Sequence, residues 1–151
     1  MEALHESVKI MTPFPPAERS AATTLYNNAA IGDAVGIDTR DFDEALISVQ
    51  TGVVGATTLD VTVGFSDTAD ADHASFALLS GAAFAQVVNA NDNKTYVIRI
   101  STQDTMRYMF VKTVQADAVA VNYAVTVALG KADVMPVTQL ETVAFEDESA
   151  A

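Results

Sequence analysis

The run AVAVNYAVTVAL at residues 118–129 constrains this chain more than any other stretch. Val119, Val121, Tyr123, Val125, Val127 and Leu129 fall on one parity, and Ala118, Ala120, Asn122, Ala124, Thr126 and Ala128 on the other. A period of two that separates bulky from small residues is the mark of a β-strand whose two faces meet different surroundings. At about 3.3 Å per residue the run reaches roughly 40 Å, long for a globular strand, so a bend or bulge is expected along it. The bulky face requires a core. The small face suits solvent or the close approach of a second surface, and the expectation is an assembly contact.

Enclosing such a strand takes a whole domain, and 151 residues supply one. Hydrophobic residues make up 50% of the chain against 19% charged, which argues against disorder. The apolar share is largely Val, which favours strands, and Ala, which fills tight spaces. A formal charge of −12 repels phosphate, so neither nucleic acid nor an anionic membrane is an expected partner. The chain has no cysteine, which removes disulfides, thiolate nucleophiles and Cys-bound metals. Residues 1–20 carry Glu2, His5 and Glu6 and no long apolar run, so neither a signal peptide nor a membrane span is expected.

Read in order, residues 1–28 do not look like core. Pro13, Pro15 and Pro16 favour extended, polyproline-like geometry, so an N-terminal arm is expected. Its candidate interaction residues are Met11, Phe14, Pro15, Pro16, Leu25 and Tyr26, laid along the arm's own domain or along a neighbouring subunit. A β-sandwich is expected over 29–137 and an acidic tail over 138–151, with Glu146, Asp147 and Glu148 near its end. Within the sandwich, 33–38 is a short strand candidate. Ala45, Ile47 and Val49 alternate with Leu46, Ser48 and Gln50, and Leu59, Val61, Val63 and Phe65 with Asp60, Thr62, Gly64 and Ser66; the turn between Gly52 and Gly55 reads as joining these runs into a hairpin. Residues 67–73 form a polar loop, and 76–88, whose Ala content would allow a helix, read as two short strands joined by a turn at Ser80–Gly81. An asparagine turn at 89–94 leads into alternating strands at 96–101 and 108–114. About eight strands without a connecting helix point to an all-β fold, an antiparallel β-sandwich of jelly-roll-like type.

Chemistry is sparse. The histidines are His5 and His73, no nucleophile elbow or phosphate loop occurs, and no cofactor motif is present, so no catalytic residue is assigned and an enzyme is not expected. Asp67, Asp70 and Asp72, with Asp60 nearby, are the candidate ligands for a hard cation such as Ca²⁺, but they lack the glycine and terminal Glu of an EF-hand loop, and a solvated acidic loop is the favoured reading. Tyr96, Arg99, Arg107 and Tyr108 flank one turn and suggest a polar or stacking patch. Both tyrosines share parity with Ile98, Ile100 and Phe110, which favours core packing, with Lys112 snorkelling where that face meets water.

Across 64–100 and again across 108–136 the chain resembles small structural proteins of tailed bacteriophages. The pattern is a strand ending GFSD, a polar loop, FALLSGAAFAQV, an asparagine turn into YVIRI, a strand like RYMFVKTV, and a long Ala/Val strand closing at ALG with a proline soon after. The resemblance carries no catalytic signature. It implies a virion protein of the capsid decoration (cement) kind, made in the host cytoplasm and placed on the capsid surface. Its implied partners are the major capsid protein and its own copies, most simply as a homotrimer at threefold or quasi-threefold positions. A tail or head–tail component and a carbohydrate-binding sandwich are the alternatives; the lack of Trp counts against the last.

Overall fold

A computed structural model describes residues 7–132. Among them run nine strands, β1 Lys9–Arg19, β2 Thr23–Tyr26, β3 Ile37–Asp38, β4 Phe42–Val54, β5 Leu59–Ser66, β6 Ala77–Ala83, β7 Thr95–Ser101, β8 Tyr108–Gln115 and β9 Val121–Ala132. One sheet has the order β1-β9-β4-β7 and the other β2-β8-β5-β6, with β3 also pairing β8. Every pairing is antiparallel. The chain crosses between sheets after β1, β3, β4, β6, β7 and β8, which is the jelly-roll arrangement expected, with one short strand added. His5 and the tail expected over 138–151 lie outside the described residues.

From Val121 onward the opening run becomes β9, which continues past it to Ala132, while residues 118–120 belong to the bend before it; β9 is held between β1 and β4 at the centre of its sheet. Val121, Val125, Val127 and Leu129 are at 0% exposure and Tyr123 at 3%, facing the side chains of the other sheet. Ile47 and Val49 from β4, Val61 and Val63 from β5, and Met109 and Val111 from β8 complete that core. The expected irregularity falls on the neighbours of β9: β1 shifts register twice, and β4 shifts once between Thr51 and Val54. Ala124, on the small face, is also buried, at 5%. It lies opposite Gln50 of β4, and in β1 its place falls at the bulge between Phe14 and Ala17. An Arg at 124 would therefore disturb this chain itself. That position does not separate solvent from assembly.

Four expectations need correction. First, β1 and β2 are strands of the sandwich, so no domain boundary falls at 28/29. Prolines misled because β1 is an edge strand whose bulges absorb residues without an N–H. Second, β4 and β5 form no hairpin, because they belong to different sheets. The chain arches at Gly55, where a Cβ would lie 2.3 Å from Val119 Cγ1 and 2.8 Å from the Ala120 oxygen, so only glycine lets the arch close. Third, 76–88 is not two strands about a turn: β6 runs through a kink at Gly81, with φ of 80°, and Val87 then bridges to Leu59.

Fourth, β8 buries residues on both of its faces. Met109 and Val111 enter the core between the sheets, whereas Phe110, on the other parity, enters a second cluster with Tyr26, Ala34 and Ala71. Phe76 stands edge-on to both Tyr26 and Phe110, with centroids 5.5 and 5.8 Å apart. The connections at 27–36 and 67–76 thus cap the outer face of the second sheet with a small core of their own. Gly36 and Gly64 make room for it, since a Cβ at either would come within 3 Å of the Phe110 or Phe76 ring.

Candidate functional site

The residues expected to reach a neighbour from the arm are divided by the structure. Phe14 is at 0% exposure and Tyr26 at 8%, in the two separate clusters. Met11 and Leu25 are half-buried against the main core. Pro15 and Pro16 are exposed, beside the shallow groove that Ala17, Gln50 and Asn122 help to line. Of the six, only the two prolines remain fully on the surface, because the others serve the fold.

What holds β1 down is a residue the sequence did not single out. The Arg19 guanidinium lies 4.3 Å from the Tyr123 ring centroid and 5.4 Å from that of Phe14. Its Nη1 donates to the Tyr123 carbonyl at 2.9 Å, and its Nη2 to the Pro15 carbonyl and to Asn28 Oδ1, each at 3.0 Å. The planar fork thereby spans the proline bulge, where backbone pairing is missing. Burial pushes the Tyr123 hydroxyl above its ordinary pKa, while the bond with Thr113 and the charge of Arg19 oppose that rise. Arg19→Ala is expected to lower the unfolding free energy by about 2–3 kcal/mol in denaturant melts, from lost charge-assisted bonds and ring contact. Arg19→Lys should recover only part of it. A loss below about 0.5 kcal/mol for the alanine variant would remove the pin, being the size of an ordinary surface substitution.

The polar groups named from the sequence are brought together only in small, separate sets. Arg107 donates to both carboxylate oxygens of Asp38, at 3.0 and 2.6 Å, and this bond chiefly holds the Asp38 carboxyl below the usual range. The Glu44 carboxyl is likewise lowered, first by Lys131 and then by Arg99. Asp67 accepts from Ser75 and lies 3.2 Å from His73, Asp70 accepts from the Asp72 amide, and Asp60 accepts from Gln86. Among the described residues no group of three or more His, Asp or Glu side chains is placed to hold a metal ion. Tyr96 packs on the main core from β7, whereas Tyr108 joins the second cluster from β8 with Arg107 over its ring at 4.9 Å. The two tyrosines belong to different sheets and form no shared platform. A depression of about 460 Å³ is lined by Thr39, Arg40, Asp43, Gln103 and Arg107 among others. Its buried threonines already donate to backbone carbonyls.

One unmatched feature is apolar. On the outward face of the first sheet, Leu46 is 45% exposed and Val97 57% exposed. Leu46 lies between Arg99 of β7 and Ala128 of β9, and Ile10 of β1 lies beyond Ala128. A depression of about 380 Å³ runs there, lined by Val8, Glu44, Leu46, Arg99, Ala128 and Gly130. The signal was present in the sequence. Leu46 and Val97 each sit on the polar parity of their strand, where an apolar residue is out of place.

No family model matches the chain, and no curated protein matches it. Among solved structures, a chain from the disulfide-linked pili of Bacillus endospore appendages is similar, with a TM-score of 0.38 and 12% identity over 86% of this chain and 96% of that one. A likeness of that size carries no argument about function, and nothing in it is specific to bacteriophages.

Proposed function

We propose that this chain is a structural protein of a tailed-bacteriophage virion, a capsid decoration protein that stabilises the head by bridging neighbouring copies of the major capsid protein. One observation carries the reading from geometry to assembly: the outward face of the first sheet presents Leu46, Val97 and Ala128 in an otherwise strongly acidic protein. Apolar side chains on the polar side of a strand gain free energy when a partner covers them. The resemblance across 64–100 and 108–136 supplies the kind of partner. A catalytic role is not part of the proposal, since the paired polar groups described above are engaged with one another.

Heads assembled without their decoration protein test the reading. The full chain is expected to bind them saturably, at symmetric positions seen by electron cryomicroscopy. Leu46→Asp, at an exposed site, should cut occupancy at least about tenfold while leaving the melting temperature in place. Binding to tails and not to heads would favour the tail reading. No binding to either, or full occupancy by the Asp variant, would overturn the proposal.

A further inference from the structure

The two sheets end in four edges, and three of them are blunted. β1 carries Pro13, Pro15 and Pro16 and two register shifts. β2 has four residues. β6 is kinked at Gly81 and shifts register against β5. Such features are how proteins keep edges from pairing. β7 has none of them. Its pairing with β4 runs unbroken from Glu44↔Ser101 to Gln50↔Thr95, it contains no proline, and nothing among the described residues pairs its other side.

The direction of its free groups follows from the register. The Thr51 amide donates to the Lys94 carbonyl, and the Thr102 amide to that of Asp43, so the even-numbered residues of this segment turn their backbone towards β4. Thr95, Val97, Arg99 and Ser101 therefore turn their N–H and C=O groups outward. We infer that this edge is a self-pairing site, where β7 of a second copy adds antiparallel to β7 and joins two four-stranded sheets into one.

Charge and pattern fit a second copy. β7, TYVIRIS, contains no carboxylate, in a chain of net charge −12 whose copies otherwise repel. Its one cation, Arg99, is already paired with Glu44. A twofold axis at Ile98 uses the whole strand: Ile98 meets Ile98, Val97 meets Arg99, and Thr95 meets Ser101. No like charges lie opposite one another, and the outward-turned residues pair with one another as an antiparallel ladder requires. Such an isologous contact closes at two copies, so the smallest assembly is a dimer and not the trimer that the resemblance implies. The inference does not rest on capsid binding and stands or falls apart from it.

Sedimentation velocity on the full chain, with hydrogen exchange at low and high concentration, tests it. A concentration-dependent dimer is expected, with amide protection at Val97 and Arg99 rising at least about tenfold as it forms. Val97→Lys puts an ammonium opposite Arg99, and Val97→Pro removes an outward N–H. Each should weaken the dimer at least about tenfold with no large change in circular dichroism. Val53→Lys, at a site 61% exposed and away from this edge, should leave it intact. If Val97→Pro fails to fold, Val97→Lys decides. A monomer at all concentrations overturns the inference, as does a dimer that tolerates Val97→Lys. Protection of Val97 and Arg99 that does not vary with concentration also overturns it, because the edge is then covered by the chain's own remaining residues.

Discussion

Deleting residues 1–28 is expected to unfold the remainder of the chain, not to release a folded body that has merely lost an arm. The deletion removes β1 and β2, and with them the pairing partner on one side of β9 and of the Lys112–Gln115 end of β8. It also removes Phe14 and Tyr26, at 0% and 8% exposure, from two clusters at once. Losing one buried aromatic costs about 3–5 kcal/mol. Two of them, with the strand pairing, match the roughly 5–15 kcal/mol that holds a typical domain together. The exposed flank of β9 would then template aggregation. Expression of 29–151 should give insoluble protein, or a soluble chain without a cooperative melt. A monomeric fragment that melts cooperatively near the full-length temperature would show β1 and β2 to be accessory.

Phe110→Ala is expected to cost about 3–5 kcal/mol and to lower the melting temperature by roughly 10–20 °C. Phe110 is fully buried, yet it faces away from the core between the sheets. Its ring stands edge-on to Phe76, and Phe76 edge-on to Tyr26, so one truncation removes the fully buried end of this ring series. The damage should be local before it is global. Amides in 27–36 and 67–76 should exchange faster than those of β4 and β9, whereas Met109→Ala, on the opposite parity, should weaken both sheets together. Equal exchange of the two capping connections in Phe110→Ala and wild type would show that something else holds them.

Both predictions turn on features that could be read only in part from the residues. The strand parity of β4, β5, β7, β8 and β9 was legible because alternation is local: neighbouring side chains point to opposite faces whatever lies beyond them. Even so, parity does not say what each face meets. Phe110 and Met109 are both apolar neighbours, and only the fold shows that one enters the main core and the other a cap built from two loops. Arg19 looked like any surface cation in a proline-rich stretch, since its partners, Tyr123 and Asn28, come from elsewhere in the chain.

By itself, then, the sequence determined that this is an acidic, cysteine-free, all-β chain whose run at 118–129 must supply a strand with a buried bulky face. The alternation sets that face, and the hydrophobic effect buries it. Only the tertiary structure decided that β4 arches into the other sheet at Gly55, that β1 is a strand of the body, and that β7 is an edge with unbroken register, unpaired on its outer side among the described residues. Those outcomes depend on contacts between residues far apart in the chain, such as Gly55 with Ala120 and Phe14 with Tyr123. A period-two pattern is the same for a hairpin, an arch, a central strand and an edge, because it records which way side chains point and not which strand lies alongside.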